Sequence, residues 1–125
     1  MSVFKRIDLV SLPITKAGWD QAKAFYRETL GLTETFLADE FGWAQYGWDG
    51  GAQIALSRWD DGVPSRSGGA IIVLAVDDAS VAVAALRARG VQCDDPVAVP
   101  GMVTYANFYD VEGNQLQLAG PPPQA

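Results

Sequence analysis

The order strand–helix–strand–strand–strand can be read twice in this chain, and that duplication limits the possible folds more than any other feature. Arg6 to Thr15 has the β-branched and aliphatic content of a strand, with Pro13 near its end. A helix is predicted from about Gly18 to Leu30. Ala22, Phe25, Tyr26, Thr29 and Leu30 recur at helical spacing on one face, Asp20, Lys23, Arg27 and Glu28 occupy the rest, and Gly31 is placed to cap the end. Strands are expected near Thr33–Ala38, Trp43–Trp48 and Gln53–Arg58, with Asp49-Gly50-Gly51 as a hairpin turn between the last two.

Asp60 to Gly69 is rich in turn formers and reads as a linker, after which the pattern restarts. Ala70 to Val76 is an apolar run of strand length, expected to be buried on both faces. Asp77-Asp78-Ala79-Ser80 offers N-caps for a helix running to Arg89 and closed by Gly90. Strands follow near Val97–Val99, Thr104–Tyr109 and Gln115–Ala119, with Glu112-Gly113-Asn114 as the hairpin. The tail Gly120-Pro121-Pro122-Pro123 cannot continue a sheet and is expected to fray.

A shift of 62 residues lays Leu9 on Ile71, Trp43 on Tyr105, Gln45 on Asn107 and Ala55 on Gln117. The helix ends need 59, Gly31 onto Gly90, because the first half carries extra residues around Lys16–Gly18. The 125 residues then form a single domain of two repeats, about 5–59 and 70–119, joined by linker 60–69. One helix cannot cover both faces of a four-stranded sheet, so one face of each sheet is left to line something.

Composition removes several function classes. Hydrophobic residues make up 49% and charged residues 19%, which excludes a disordered chain. No apolar run approaches the roughly 18 residues that cross a bilayer, and no signal-type block follows Met1. A cytoplasmic location with no membrane partner is the expectation. The formal charge of −6, without a Lys/Arg cluster, argues against nucleic acid. The single cysteine, Cys93, precludes an internal disulfide, and its neighbours Asp94 and Asp95 disfavour a reactive thiolate. Histidine is absent, which removes imidazole triads and His-ligated metal sites. Oxygen ligation of a metal stays open.

Ala24-Phe25-Tyr26 running into Leu30-Gly31-Leu32, then Val76-Asp77-Asp78, then Asp110-Val111-Glu112-Gly113-Asn114 running into Gln115-Leu116-Gln117-Leu118 resemble the vicinal oxygen chelate superfamily. That superfamily contains glyoxalase I, extradiol dioxygenases and the bleomycin-resistance proteins. The resemblance covers about Ile7 to Leu118. Val111 stands where relatives usually have proline, while Gly113 keeps the positive φ the turn needs. It implies an α+β fold in which tandem βαβββ modules form a curved mixed sheet around a cleft. The metal-dependent members place His, Glu or Gln at four strand positions, which align here with Leu9, Ala55, Ile71 and Gln117. Three of those are apolar, and a register two residues away (Ile7, Ser11, Gln53, Ser57, Val73) supplies no better ligands. The expectation is therefore no metal and no cofactor, with glyoxalase I and dioxygenase chemistry excluded.

What remains resembles the metal-free bleomycin-resistance branch, homodimers that sequester a small molecule. Strand alternation gathers Trp43 with Gln45, Gln53 with Ala55 and Ser57, Tyr105 with Asn107, and Gln115 with Gln117, combining flat apolar surfaces with uncharged hydrogen-bonding groups. These are the candidate ligand-binding residues, and no catalytic residue is assigned. Each also has a structural reading: Trp48 and Trp59 as hairpin-end or interface packing, Trp19 as a core anchor, Gln117 as a satisfied buried amide. Arg58 is read as pairing with Asp60 or Asp61, and the acidic pairs as turn and cap residues. Two alternatives stay open at this stage. One is a metal-free lyase or isomerase using Asp8, Tyr46, Tyr105 or Tyr109, and the other is a dimerisation module with an unused cleft.

Overall fold

The computed structural model describes residues 8–61 and 71–123. Arg6 and Ile7 of the first expected strand, most of the Asp60–Gly69 linker, and the repeat starts at 5 and 70 lie outside them. The chain divides into two compact units, residues 1–64 and 65–125.

The first unit contains β1 (Val10–Thr15), α1 (Trp19–Ala24), β2 (Thr33–Ala38), β3 (Trp43–Gly47) and β4 (Gln53–Trp59). Its strands lie in the order β1-β4-β3-β2, with β1 parallel to β4 and the other pairs antiparallel. α1 continues into a wider π-helical turn over Phe25–Thr29. Leu30 N–H donates to Phe25 O at 2.9 Å, and Leu32 N–H donates to Tyr26 O at 3.0 Å past Gly31 at φ +73°. This turn accompanies burial of two consecutive aromatic residues, Phe25 and Tyr26, against the sheet. Alternate strand residues Leu12, Ile14, Ala44, Tyr46, Ile54 and Leu56 are buried with them. Tyr26 stacks on Tyr46 with ring centres 6.0 Å apart, a contact worth about 0.5–1.5 kcal/mol beyond the buried area.

The second unit contains β5 (Ile72–Ala75), α2 (Ala79–Ala88), β6 (Gln92–Cys93), β7 (Val97–Val99), β8 (Val103–Tyr109) and β9 (Gln115–Gly120). The order is β5-β9-β8-β6, with β7 also on β8, and β5 is parallel to β9. Asp78 caps α2 by accepting from Val81 N–H at 3.0 Å. Ala106, Phe108, Leu116 and Leu118 are the buried strand residues, joined by Val83 of α2.

Strand register repeats between the units residue for residue. Gln45 faces Ala55 as Asn107 faces Gln117, and Ser11 faces Ala55 as Val73 faces Gln117, a constant offset of 62. The edge strands follow the other offset, 59: Glu34 faces Tyr46 as Cys93 faces Phe108, and Ala38 faces Trp43 as Val97 faces Tyr105. The three residues the first unit has in excess ahead of Gly31 are recovered in the second by the longer turn Pro100–Met102.

Four expectations are corrected. β5 is not buried on both faces: Val73 is 53% exposed and Ile71 43%. Apolar β-branched content gave the strand, but it could not say that the helix of this unit covers only one of its faces. The first helix begins at Trp19, and its last turn is π rather than α. β6 was not anticipated, since two residues ahead of Asp94-Asp95-Pro96 carry no alternation. The ladder nevertheless runs on through Asp94 N–H to Asn107 O at 2.9 Å until Pro96 stops it. Finally, β9 runs on through Gly120, and Pro121–Pro123 after it, with only Pro122 half-buried, line a groove with Asp77, Ser80 and Pro96. Gly120 makes this approach possible, because a β-carbon there would lie 3.2 Å from Ala79 N and Val76 O.

Candidate functional site

α1 lies on one face of the first sheet, with Leu12, Ile14, Ala44, Tyr46, Ile54 and Leu56 beneath it. By alternation, Ser11, Pro13, Trp43, Gln45, Gln53, Ala55 and Ser57 point to the opposite face, together with Phe36 and Ala38 of β2. In the second sheet the corresponding face carries Val73, Val97, Tyr105, Asn107, Tyr109, Gln115, Gln117 and Ala119. The candidate ligand residues thus share one face within each sheet. Ser11 and Val73, named above only as an alternative register, also belong to these faces, as do Phe36 and Val97, which were missed although period-two alternation in their strands was the signal that would have found them.

The polar groups on these faces have fixed roles. Trp43 Nε1–H donates to Gln45 Oε1 at 2.8 Å. An indole N–H can only donate, so the Gln45 amide is oriented with its NH₂ end left over. Gln117 Nε2 donates to Asn107 Oδ1 at 3.1 Å. Whichever way the two amides are turned, one whole NH₂ group and one whole carbonyl oxygen of this pair are not used in the bond between them. Gln53 differs: its NH₂ donates to Trp48 O at 2.6 Å and its oxygen accepts from the Thr35 hydroxyl. Its amide is consumed in pinning the hairpin to the bulge in β2. Trp43, Gln45, Ser57, Tyr105, Asn107, Gln115 and Gln117 are all half-buried, whereas Ala55 is fully buried.

The positions aligned with metal ligands fall as follows. Leu9 and Ile71 precede β1 and β5, and the residues beside Ala55 and Gln117 are Ser11 and Val73. The first set gives three apolar side chains and one neutral amide, and the second adds only the Ser11 hydroxyl. A divalent ion needs several anionic or imidazole donors at about 2 Å, and this donor set does not fit one. Among the described residues no three His, Cys, Asp or Glu side chains are grouped for a metal.

Two of the four groups named for acid–base chemistry, Tyr46 and Tyr109, are hydrogen-bonded to carboxylates. Tyr46 is fully buried on the helix side, and its hydroxyl donates to Glu34 at 2.9 Å. Burial first and Glu34 second push its pKa above the ordinary tyrosine value. Tyr109 donates to Asp94 at 2.8 Å, and that bond raises its pKa. The Cys93 thiol is also raised, by burial first and with Asp94 adding to it, so the acidic neighbours are the lesser cause. Arg58 bonds Asp60 Oδ1 and Asp39 O, each at 3.0 Å, and its guanidinium sits 5.7 Å from the centre of the Trp19 ring on the helix side. Lys23, whose side chain is only 11% exposed, salt-bridges Asp39 at 2.6 Å, and Trp19 Nε1 donates to the same carboxylate oxygen at 2.8 Å. These charges clamp α1 to the turn that follows β2. A groove of about 510 Å³ beside the start of α2 is lined by Asp77, Asp78, Thr104 and the proline tail, and it includes none of the candidate ligand residues.

Among the described residues no helix is long and apolar enough to cross a membrane. No curated protein sequence matches the chain. Among solved structures, TnmS3, an antibiotic binding protein from Streptomyces sp. CB03234, is 29% identical with a TM-score of 0.77, over 97% of this chain and 99% of that one. A glyoxalase/bleomycin resistance protein from the same Streptomyces is 30% identical with a TM-score of 0.66, over 89% and 96%. A glyoxalase family protein from Enterococcus faecalis, 19% identical with a TM-score of 0.73 over 94% and 99%, shares the fold. The α+β architecture of paired βαβββ units with curved mixed sheets agrees with all three. A family model described as Glyoxalase/Bleomycin resistance protein/Dioxygenase superfamily matches residues 8–118, and the chain belongs to that superfamily.

Proposed function

We propose that this chain is a cytoplasmic, metal-independent binding protein that sequesters or carries a partly aromatic small molecule. The ligand lies on the uncovered sheet faces, in clefts completed by a homodimer. The observation that carries the reading is the repetition of one pairing: an aromatic ring and an amide two residues apart, Trp43 with Gln45 and Tyr105 with Asn107, at equivalent register positions. Rings supply stacking area and amides fix orientation, the usual make-up of a small-molecule site. Similarity to an antibiotic binding protein supports the ligand class, and the donor-poor positions around Ala55 support independence from metal. Exposed Trp48, Trp59, Phe36 and Val73 support a second copy covering part of these surfaces.

Titration of intrinsic tryptophan fluorescence with a panel of aromatic natural products tests the reading. Saturable quenching by at least one compound is expected, unchanged by a chelator and lost in Trp43→Ala. A quenching response that needs added divalent ion would overturn it, as would one that survives the substitution.

A further inference from the structure

We infer that the groove beside the start of α2 is a second binding site, which takes a small planar aromatic molecule carrying a positive charge. It is separate from the sheet faces to which ligand binding is assigned above, and its lining belongs wholly to the second unit.

The duplication shows what the groove lacks. α1 and α2 open on Trp19 and Ala79, both buried, at an offset of 60. That value falls between the 62 of the central strands and the 59 of the helix ends. Two of the first unit's extra residues lie in Lys16–Gly18, and the π turn over Phe25–Thr29 takes up the third. In the first unit the Trp19 indole fills the space beside the turn after β2 and is 5% exposed. Its Nε1–H donates to Asp39, and the Lys23 and Arg58 cations stand 5.4 and 5.7 Å from the ring centre. The residues matching Trp19, Lys23, Asp39 and Arg58 in the second unit are Ala79, Val83, Ala98 and Gly120. Ring, both cations and carboxylate are all gone.

α2 settles into part of the space released, since a β-carbon on Gly120 would lie 3.2 Å from Ala79 N. It does not fill the rest. Ala79 and Ala98 end at their β-carbons, so the space over Thr104, which pairs with both Ala98 and Gly120, stays open. The remaining groove of about 510 Å³ is of the size that small molecules occupy.

The lining sets the class of occupant. Pro96, Ala98, Pro121 and Pro122 supply carbon surface for the faces of a ring. Among the described residues the charged groups lining the groove are Asp77 and Asp78. Asp78 is engaged with Val81 N–H at 3.0 Å, whereas Asp77 is exposed. In the first unit the chain provides ring, cations and carboxylate together. In the second it provides carboxylate alone, so the complementary occupant brings both the ring and the cation.

Tryptamine, indole-3-acetate and 2-cyclohexylethylamine separate ring from charge. Each would be titrated into ¹⁵N-labelled protein while the backbone amides of Ser80, Ala98 and Thr104 are followed. Tryptamine is expected to move these three together and saturably, with a Kd of about 1 mM or tighter. It should bind at least about fivefold more tightly than either of the others. Asp77→Asn should remove most of the preference over indole-3-acetate. Ala98→Phe, at an exposed position, places a ring of the chain's own in the groove and should weaken tryptamine at least about tenfold. Trp43→Ala should leave the titration unchanged, so the result does not depend on the site proposed above. Absence of saturable shifts at the three amides would overturn the site, as would their persistence in a folded Ala98→Phe variant. Indole-3-acetate binding as tightly as tryptamine would overturn the charge, and 2-cyclohexylethylamine doing so would overturn the ring.

Discussion

Replacing Asp110 by alanine should be among the most destabilising single changes in the second unit, and the cost can be worked from its partners. Asp110 is buried between β8 and β9. Its Oδ1 accepts from Glu112 N–H at 2.9 Å and Asn114 N–H at 2.8 Å, and its Oδ2 accepts from Asn114 Nδ2 at 2.9 Å. Glu112 is partly exposed, so water can replace that bond at little cost. Asn114 is 5% exposed, and its two donors would be left without acceptors. Each buried orphan donor costs about 1–3 kcal/mol, which gives roughly 2–6 kcal/mol for Asp110→Ala. Asp110→Asn keeps an oxygen for the two backbone donors, and Asn114 can turn its amide to accept from the new NH₂, so it should lose only about 1 kcal/mol. Urea unfolding resolves the two. With a slope near 2 kcal/mol/M, the alanine midpoint should fall by about 1–3 M and the asparagine midpoint by about 0.5 M. Equal losses in the two variants, or an alanine loss below about 1 kcal/mol, would show that the turn does not depend on these bonds.

Two further outcomes follow from single contacts. Val111 is the second residue of a turn closed by Gly113 N–H to Asp110 O at 3.1 Å, a position that favours proline, so Val111→Pro should raise stability by about 0.4–1 kcal/mol in the same assay. The Asp39 carboxyl is held below the usual aspartate pKa by the Lys23 bond first and the Trp19 indole second. Its contribution is therefore present above about pH 4 and lost as the pH falls through the lowered value. Thermal melting against pH should show a shallower acid decline in Asp39→Asn than in the parent.

How much of this was legible in the sequence depended on whether a turn fixed the register. β3 and β4 are joined through Asp49-Gly50-Gly51, and β8 and β9 through the Asp110–Asn114 turn. Alternation along those strands therefore placed Trp43 with Gln45, and Tyr105 with Asn107, on shared faces. β1 and β5 pair in parallel with strands distant in sequence, and no hairpin sets their register. Alignment with the family's ligand positions therefore gave Leu9 and Ile71 with Ser11 and Val73 as the alternative register, and it is Ser11 and Val73 that lie beside Ala55 and Gln117. Gln53 was hidden for another reason. Its face was legible, but the bulge that brings Thr35 to its amide was not.

The duplication also explains how charge is tolerated beneath the first helix. Arg27 lies 3.5 Å from Glu34, which accepts from Tyr46. At the matching places in the second unit stand Leu86, Cys93 and Phe108, by the offset of 59 for helix and edge strand and 62 for β8. The three differ as a set. A phenylalanine at the Tyr46 position has no hydroxyl to satisfy, so the edge strand needs no carboxylate, and the helix then needs no guanidinium. Under a helix, an ion pair and a tyrosine can be exchanged for three apolar side chains without leaving a buried polar atom unpaired, because both arrangements are internally complete. The uncovered faces differ in kind. There, Trp43 is matched by Tyr105 and Gln45 by Asn107, with ring for ring and amide for amide, while their other neighbours change from Ser11 to Val73 and from Ala55 to Gln117. Packing against a helix constrains total volume and polar satisfaction and leaves the residue types free. A face that keeps the same chemical groups in two sheets of different packing is not explained by core packing and accords with the binding role proposed above.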